Sequence, residues 1–244
     1  MDLEIAWTVA TKDLSIIRKK KSIFYAVIIL PLIMSIGLPA IVWVVEQRGT
    51  IPDAILIGLL NAFSFFFVIM ASLSSIGISS YSIVGEKVEK SLEPLLATPA
   101  TDGEILFGKG LAAFIPTIVA TYVSVTIFMI LTDILTYAQL GYSYYPNLTI
   151  ALVLFLVTPL AIILSNELNV LVSARVNDVR TASQLGAIMG IPFFVIYILA
   201  EIGLISLDIA TFLAISAILL AADIALFYLS RTTFRREQIL TRWK

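Results

Sequence analysis

Residues 54–81, AILIGLLNAFSFFFVIMASLSSIGISSY, contain no charged side chain. A helix rises about 1.5 Å per residue, so an apolar run of roughly twenty residues crosses the ~30 Å hydrocarbon core of a membrane. Five further apolar runs of at least this length lie at about 22–45, 108–133, 148–174, 184–203 and 208–230. The sequence therefore predicts an all-α membrane protein with six transmembrane helices.

The composition agrees with this fold and excludes several kinds of chemistry. Of the 244 residues, 59% are hydrophobic and 14% are charged, whereas soluble domains have about 45–50% and about 25%. The chain has no Cys and no His, which excludes disulfides, thiol nucleophiles, imidazole bases and Cys/His metal sites. We expect no catalytic residue, no metal site and no nucleic-acid partner, and a lipid bilayer as the surroundings.

The positions of Lys and Arg predict the orientation. With six spans, all but one of the 16 basic residues fall on the same face, and Arg48 is the exception. Because cytoplasmic loops collect Lys and Arg, we expect both termini in the cytoplasm and the protein in the cell (plasma) membrane. The predicted parts are a connecting helix at 1–21, a six-span domain at 22–230 and a basic tail at 231–244.

Before the first span, apolar residues recur at helical spacing, which predicts one apolar helix face. They are Leu3, Trp7, Ala10, Leu14 and Ile17. We expect Lys12, Asp13 and Lys19 to point away from this face. The pattern is typical of an amphipathic helix that lies on the membrane surface, and an ordinary cytosolic amphipathic segment is the alternative.

The longest predicted cytoplasmic connection is 84–107, and its start is charged. Glu86 and Lys87 are expected to continue span two as a solvated helix. Pro94 is expected to begin a short helix, because proline is tolerated in a first helical turn, and Pro99 is expected to end it after Thr98. Exposed leucines in such a helix favour a protein partner, and packing on the chain's own membrane domain is the alternative.

The end of this connection contains two further motifs. Thr101 and Glu104 form a T-x-x-E capping box ahead of span three. Gly103 to Lys109 fits G-x-x-x-x-G-K, but Gly110 follows where a phosphate-binding loop needs Ser or Thr, and the predicted context is a helix. We therefore expect no phosphate binding by this chain.

The segment from Gly85 to Lys109 resembles the signature cytoplasmic loop of the type-2 ABC exporter permeases. In that family an acidic G-E-x-x-x-x-S/T-L-E opening leads to L-L-A-T-P and then to E-I-L-x-G-K. Pro94 departs from the Leu or Val usual at its position, and the family's outer re-entrant helices between spans five and six have no obvious counterpart. The matching residues are Glu86, Leu92, Glu93, Leu95, Leu96, Ala97, Thr98, Pro99, Glu104, Ile105, Leu106, Gly108 and Lys109.

The resemblance implies a non-catalytic permease subunit of an ATP-driven exporter. It would pair with a second permease copy or a homologue and dock a separate ATP-binding subunit. ATP and Mg would be bound by that partner, with no cofactor in this chain. The implied ATPase-coupling residues are Glu86, Glu89, Lys90, Leu92, Glu93, Pro94, Leu95, Leu96, Thr98 and Pro99. The alternatives are a stand-alone secondary transporter or channel, and a non-transporting membrane assembly subunit.

Polar residues inside the spans have two interpretations. Small hydroxyl residues commonly serve helix packing, and the rival is a substrate path. Gly186 and Gly190 form a G-x-x-x-G pair that permits close helix approach, within the chain or, as the family favours, at a dimer interface. Glu167, Glu201 and Asp223 serve either structural hydrogen bonds or contact with an ion or cationic substrate. The candidate path residues are Asn61, Ser64, Ser72, Thr117, Thr121, Ser124 and Asp223.

Overall fold

The computed structural model describes residues 2–47, 49, 52–91, 94, 98–173, 175–188 and 190–233, with side chains up to Tyr228. No strand occurs in these ranges, which confirms the all-α prediction. The main helices are α1 (Leu3–Lys19), α2 (Lys21–Glu46), α3 (Asp53–Val88), α4 (Asp102–Leu140), α5 (Leu148–Ser173), α6 (Val179–Ile188), α7 (Ile191–Glu201) and α8 (Ile209–Thr233).

Five of these helices are long and apolar enough to cross a membrane: α2, α3, α4, α5 and α8. The helices α6 and α7 make a sixth span if they are taken together, and they meet at an angle of 41°. The expected straight span at 184–203 is thus a bent pair that begins at Val179. Pro192 lies in the first turn of α7, because its ring cannot continue a helix from the preceding turn.

The helix α3 is the centre of the bundle. In its most apolar stretch, 61% of the residues are buried, against 22–44% in the other four long spans. It packs against α2, α4, α5 and α7. Phe65 and Phe67 are fully buried on it, and Phe67 packs against Phe128 of α4 with ring centroids 5.2 Å apart. Apolar side chains on the outer faces of the surrounding helices remain exposed, as expected for surfaces in contact with lipid.

The inner end of α3 differs from the prediction. A π-helical turn at Tyr81–Gly85 precedes the last residues of the helix, which ends at Val88. Glu86 and Lys87 are only 5% and 6% exposed, so the predicted solvated extension is wrong for these two residues. A π turn inserts one residue and rotates the side chains that follow, and here they meet polar partners on other segments.

The helix α4 is longer than the predicted span, with 39 residues against an expected start at 108 and end at 133. The predicted capping box is confirmed: Thr101 accepts from the Glu104 backbone N–H at 3.3 Å, and the Glu104 carboxylate accepts from the Thr101 N–H at 2.8 Å. Gly141 ends the helix with φ at +75°, a left-handed conformation that glycine adopts without strain.

A buried charge cluster and the candidate site residues

Three segments that are far apart in the sequence meet in a buried charge cluster. Lys109 of α4 places its Nζ 3.1 Å from Asp13 Oδ2 of α1 and 2.7 Å from Glu86 Oε2 of α3, and these side chains are 3–6% exposed. Lys109 also donates to the Ser82 carbonyl at 2.8 Å, and the Ser82 hydroxyl donates to Asp13. The Lys12 ammonium donates to Glu86 Oε1 at 2.6 Å.

The charge cluster, defined as Asp13, Glu86 and Lys109 with Lys12 and Ser82, is electrically balanced. Two carboxylates face two ammonium groups, that of the buried Lys109 and that of Lys12, whose side chain is 41% exposed. Burying a charge is costly unless an opposite charge and hydrogen bonds compensate it. The two acids and Lys109 therefore depend on one another, and this dependence ties α1, α3 and α4 together.

Direct packing of α1 on α4 accompanies the ion pairs. A Cβ built on Gly108 would lie 2.5 Å from the Ala6 carbonyl oxygen and 2.8 Å from Val9 Cβ. Only glycine leaves room for this approach of two helix backbones. At the end of the G-x-x-x-x-G-K motif, Gly108 thus leaves room for α1 to pack on α4. Lys109 compensates the charge of Asp13 on α1.

The face of α1 that packs is different from the predicted one. Asp13 is 3% exposed on the packed side, so the prediction that it points away is wrong. Leu3 and Trp7, which were expected on the same apolar face as Ile17, are 64% and 53% exposed. Asp13 was misplaced because its charged partner, Lys109, lies elsewhere in the chain, where the apolar pattern of α1 cannot reveal it. The position of α1 on the membrane surface stays a prediction.

The predicted ATPase-coupling residues lie in different surroundings. Glu86 belongs to the charge cluster, and Glu89 accepts from the Tyr81 hydroxyl at 2.8 Å and from Lys20 at 3.3 Å. These bonds, that from Tyr81 first, lower the pKa of Glu89. Lys90 has a positive φ of 56° at the turn after α3. Pro94, Thr98 and Pro99 are exposed. The remaining four, Leu92, Glu93, Leu95 and Leu96, lie outside the described residues.

A seam of hydrogen bonds joins α3 to α5. Ser75 donates to Asn166 Oδ1 at 2.5 Å, and Asn169 donates to Ser80 Oγ at 3.0 Å and to the Ile76 carbonyl at 3.3 Å. At the inner end Lys87 donates to the Ser173 carbonyl at 2.6 Å. Small hydroxyls and amides of α3 and α5 therefore serve helix packing here.

The G-x-x-x-G pair packs against α3 of its own chain. A Cβ on Gly186 would lie 2.6 Å from Ile76 Cγ2 and 2.7 Å from Asn169 Oδ1. A Cβ on Gly190 would lie 3.3 Å from Leu73 Cδ2. These glycines thus permit a close helix approach within the chain, and their role at a dimer interface stays a prediction.

The candidate path residues lie in a closed interior. Ser72, Thr117, Thr121 and Ser124 are 0–1% exposed, and their hydroxyls have no hydrogen-bond partner among the described residues. Asp223 is also buried, on α8. Among the described residues, none of these five side chains is hydrogen-bonded to Asn61 or Ser64.

Asn61 and Ser64 are covered by the loop that follows α4. Tyr144 donates from its hydroxyl to Asn61 Oδ1 at 2.7 Å, and the Tyr145 and Ser64 hydroxyls are hydrogen-bonded at 2.8 Å. Tyr145 is 4% exposed and packs on Phe128 with ring centroids 5.6 Å apart. We name these four polar residues the tyrosine cluster. The two tyrosines were missed because their loop carries no helical period, although adjacent Tyr residues beside a Pro are a signal of an ordered loop.

Five or six apolar helices, with an ion-paired junction at one end, define a multi-pass α-helical membrane protein. The family model described as "ABC-2 family transporter protein" matches residues 7–225. The chain belongs to this family and is a permease subunit of an ABC transporter. A search of curated proteins gives no significant match.

Proposed function

We propose that this permease provides the substrate pathway of an ATP-driven exporter and docks its ATP-binding subunit through residues 84–107. The observation that carries the proposal is the position of the charge cluster. Glu86 precedes the exposed part of this segment and Lys109 follows it, and the two are joined at 2.7 Å. The segment therefore has both of its ends fixed to the same point of the membrane domain.

A segment held in this way suits the transfer of motion. A partner that moves the exposed Pro94, Thr98 and Pro99 would pull on α3 and α4 together, and on α1 through Asp13. Rigid elements with compensated charges transmit displacement, because packed cores do not deform continuously. The ABC-2 family supports an ATP-binding partner for the chain. That partner would bind ATP and Mg, and this chain would supply no catalytic group.

Three further parts of the proposal concern assembly and location. A second copy or a homologue would complete the pathway, because the interior of the single chain is closed around the candidate path residues. Both termini would lie in the cytoplasm of a cell whose plasma membrane holds the complex, since almost all basic residues of the predicted loops share one face. Export is the direction that the resemblance to type-2 exporter permeases implies.

The test is a coupling experiment with the ATP-binding subunit co-expressed. Leu95→Asp combined with Leu96→Asp should abolish co-purification or lower the ATPase rate of the complex by at least tenfold. Charged side chains at these positions would need desolvation in an apolar docking groove. The matched control is Leu95→Met with Leu96→Met, which keeps the apolar surface and should retain the wild-type rate.

The proposal would be contradicted by two results for transport and coupling, and by a third for association. One is a complex of the aspartate variant with wild-type composition and ATPase rate. The other is transport by the purified chain alone in liposomes without any ATP-binding subunit, which would favour a secondary transporter. Failure of any ATPase to associate with the wild-type chain would favour an assembly subunit.

A further inference from the structure

The interface of α5 and α8 contains two acidic side chains that the export proposal does not use. Asp223 of α8 is 6% exposed, and neither of its carboxyl oxygens has a hydrogen-bond partner among the described residues. Glu167 of α5 has a buried Oε2 that is likewise without a partner in the described part of the chain. The two acids lie on helices that pack against each other.

In the described part of the chain, no basic side chain is paired with Asp223 to compensate its charge. The helix α8 packs along α5, and Glu167 is the one charged residue in the sequence of α5. On α8 itself the nearest basic residue in the sequence is Arg231, eight positions away or about 12 Å along the helix. No described Lys or Arg is ion-paired with either acid.

The charged side chains of the other helices packed on α5 are engaged elsewhere. Lys109 of α4 and Glu86 of α3 both belong to the charge cluster. Asp133 of α4 accepts from the Tyr145 N–H at 3.0 Å. Asp53 is hydrogen-bonded to Gln139, and Lys87 donates to the Ser173 carbonyl. Glu104 belongs to the capping box, Asp102 has a contact of its own, and Arg180 is exposed.

Two like charges in an apolar, largely dehydrated interface cannot both remain uncompensated. An isolated buried carboxylate costs several kcal/mol or takes up a proton, and two neighbouring carboxyl groups do not both ionise. We propose that Glu167 and Asp223 form an intramembrane site for one monovalent positive charge, supplied as a proton or as an alkali cation. This site is additional to the proposed export function and does not depend on it.

The composition of the site favours a single charge. Carboxylate oxygens are ligands of hard cations, and a divalent ion such as Ca²⁺ takes six to eight oxygens. No group of three or more Asp, Glu, His or Cys that could hold a metal ion is found among the described residues. Two ionised carboxyl groups carry a charge of −2, and one bound proton or alkali cation reduces this charge to −1.

The first measurement is carboxyl labelling of the full-length protein in detergent. Dicyclohexylcarbodiimide reacts with protonated carboxyl groups in apolar surroundings, and peptide mass spectrometry locates the product. We expect modification of Asp223 or Glu167 that declines as the pH rises. Protection by NaCl but not by N-methylglucamine chloride at constant pH would identify an alkali cation, and equal labelling in both salts would identify a proton.

The second measurement is thermal unfolding of wild type and of Glu167→Gln combined with Asp223→Asn. For a proton, the wild-type melting temperature falls with rising pH in sodium-free buffer, because the folded pair holds a proton more tightly than the unfolded chain does. For an alkali cation it rises with NaCl. The double variant should lose the dependence, and Glu201→Gln, a change at an exposed carboxyl on α7, should keep it. A wild type that is unlabelled and no more sensitive to pH or sodium than the double variant overturns the proposal.

Discussion

At one end of the bundle, α1, α3 and α4 are joined by ion pairs of 2.7–3.1 Å between side chains that are almost fully buried. At the other end, a loop is joined to α3 by neutral hydrogen bonds of 2.7–2.8 Å in the tyrosine cluster. The distances are similar, but the chemistry is different. Ion pairs hold one end, and hydroxyl and amide groups hold the other.

This difference sets how easily each end can separate. Removing one partner of a buried ion pair costs about 3–5 kcal/mol, because an uncompensated charge stays behind. A neutral hydrogen bond contributes about 0.5–1.5 kcal/mol net. The end with the charge cluster is therefore expected to move as one body, whereas the loop with the tyrosine cluster can detach at lower cost.

The largest expected effect follows from removing the shared cation. Lys109→Met leaves Asp13 and Glu86 buried together without their common partner, and we expect a loss of about 3–5 kcal/mol in the free energy of unfolding. Denaturant unfolding of the purified protein in detergent measures this loss. Lys19→Met, at an exposed lysine of α1, is the matched control. Equal stability of the two variants would contradict the role of the charge cluster.

A smaller loss of stability is expected for the close packing of α1 on α4, which lies at the same end of the bundle as the charge cluster. Gly108→Ala places a methyl group 2.5 Å from the Ala6 carbonyl oxygen, and overpacking of this kind costs about 1–3 kcal/mol. Gly110→Ala meets no atom within 4 Å, and it should be neutral or slightly stabilising. Protease cleavage between α1 and α2 is expected to be faster in the first variant only. Similar cleavage rates would show that α1 does not pack directly on α4.

The smallest effect is expected in the tyrosine cluster. Tyr145→Phe removes one hydroxyl that contacts Ser64 and the Leu60 carbonyl, and we expect a loss of about 1 kcal/mol. Hydrogen exchange should become faster in residues 141–147 and stay unchanged in α1. Tyr142→Phe, at a side chain that is 51% exposed, should behave as wild type. A loss as large as that of Lys109→Met would remove the contrast between the two ends.

Much of the fold could be predicted from the sequence because hydrophobic length decides a membrane span. The runs at 22–45 and 54–81 became α2 and α3 with small changes of boundary. The bend between α6 and α7 was not predicted, because an apolar run does not reveal where a helix breaks inside it. Pro192 was a local signal of that break, since proline favours a first helical turn.

The charge cluster could not be predicted from the same pattern. Asp13 was expected to point away from the apolar face and Glu86 to lie on a solvated helix. Only the proximity of Lys109 compensates for the burial of these two acids. Hydropathy treats residues one at a time, whereas this network depends on three segments at once. The motif containing Gly108 and Lys109 indicated the right residues through resemblance, without indicating that they face α1.

The distance along the chain between the members of the charge cluster has a consequence for biosynthesis. Asp13 and Lys109 are separated by 96 residues, and translation adds roughly 5–20 residues per second. Asp13 therefore leaves the ribosome about 5–20 s before Lys109 does, at the same rates. Throughout this interval Asp13 of α1 cannot form its ion pair with Lys109 of α4. The docking of α1 is consequently a late step of membrane insertion, although α1 is made before α3 and α4.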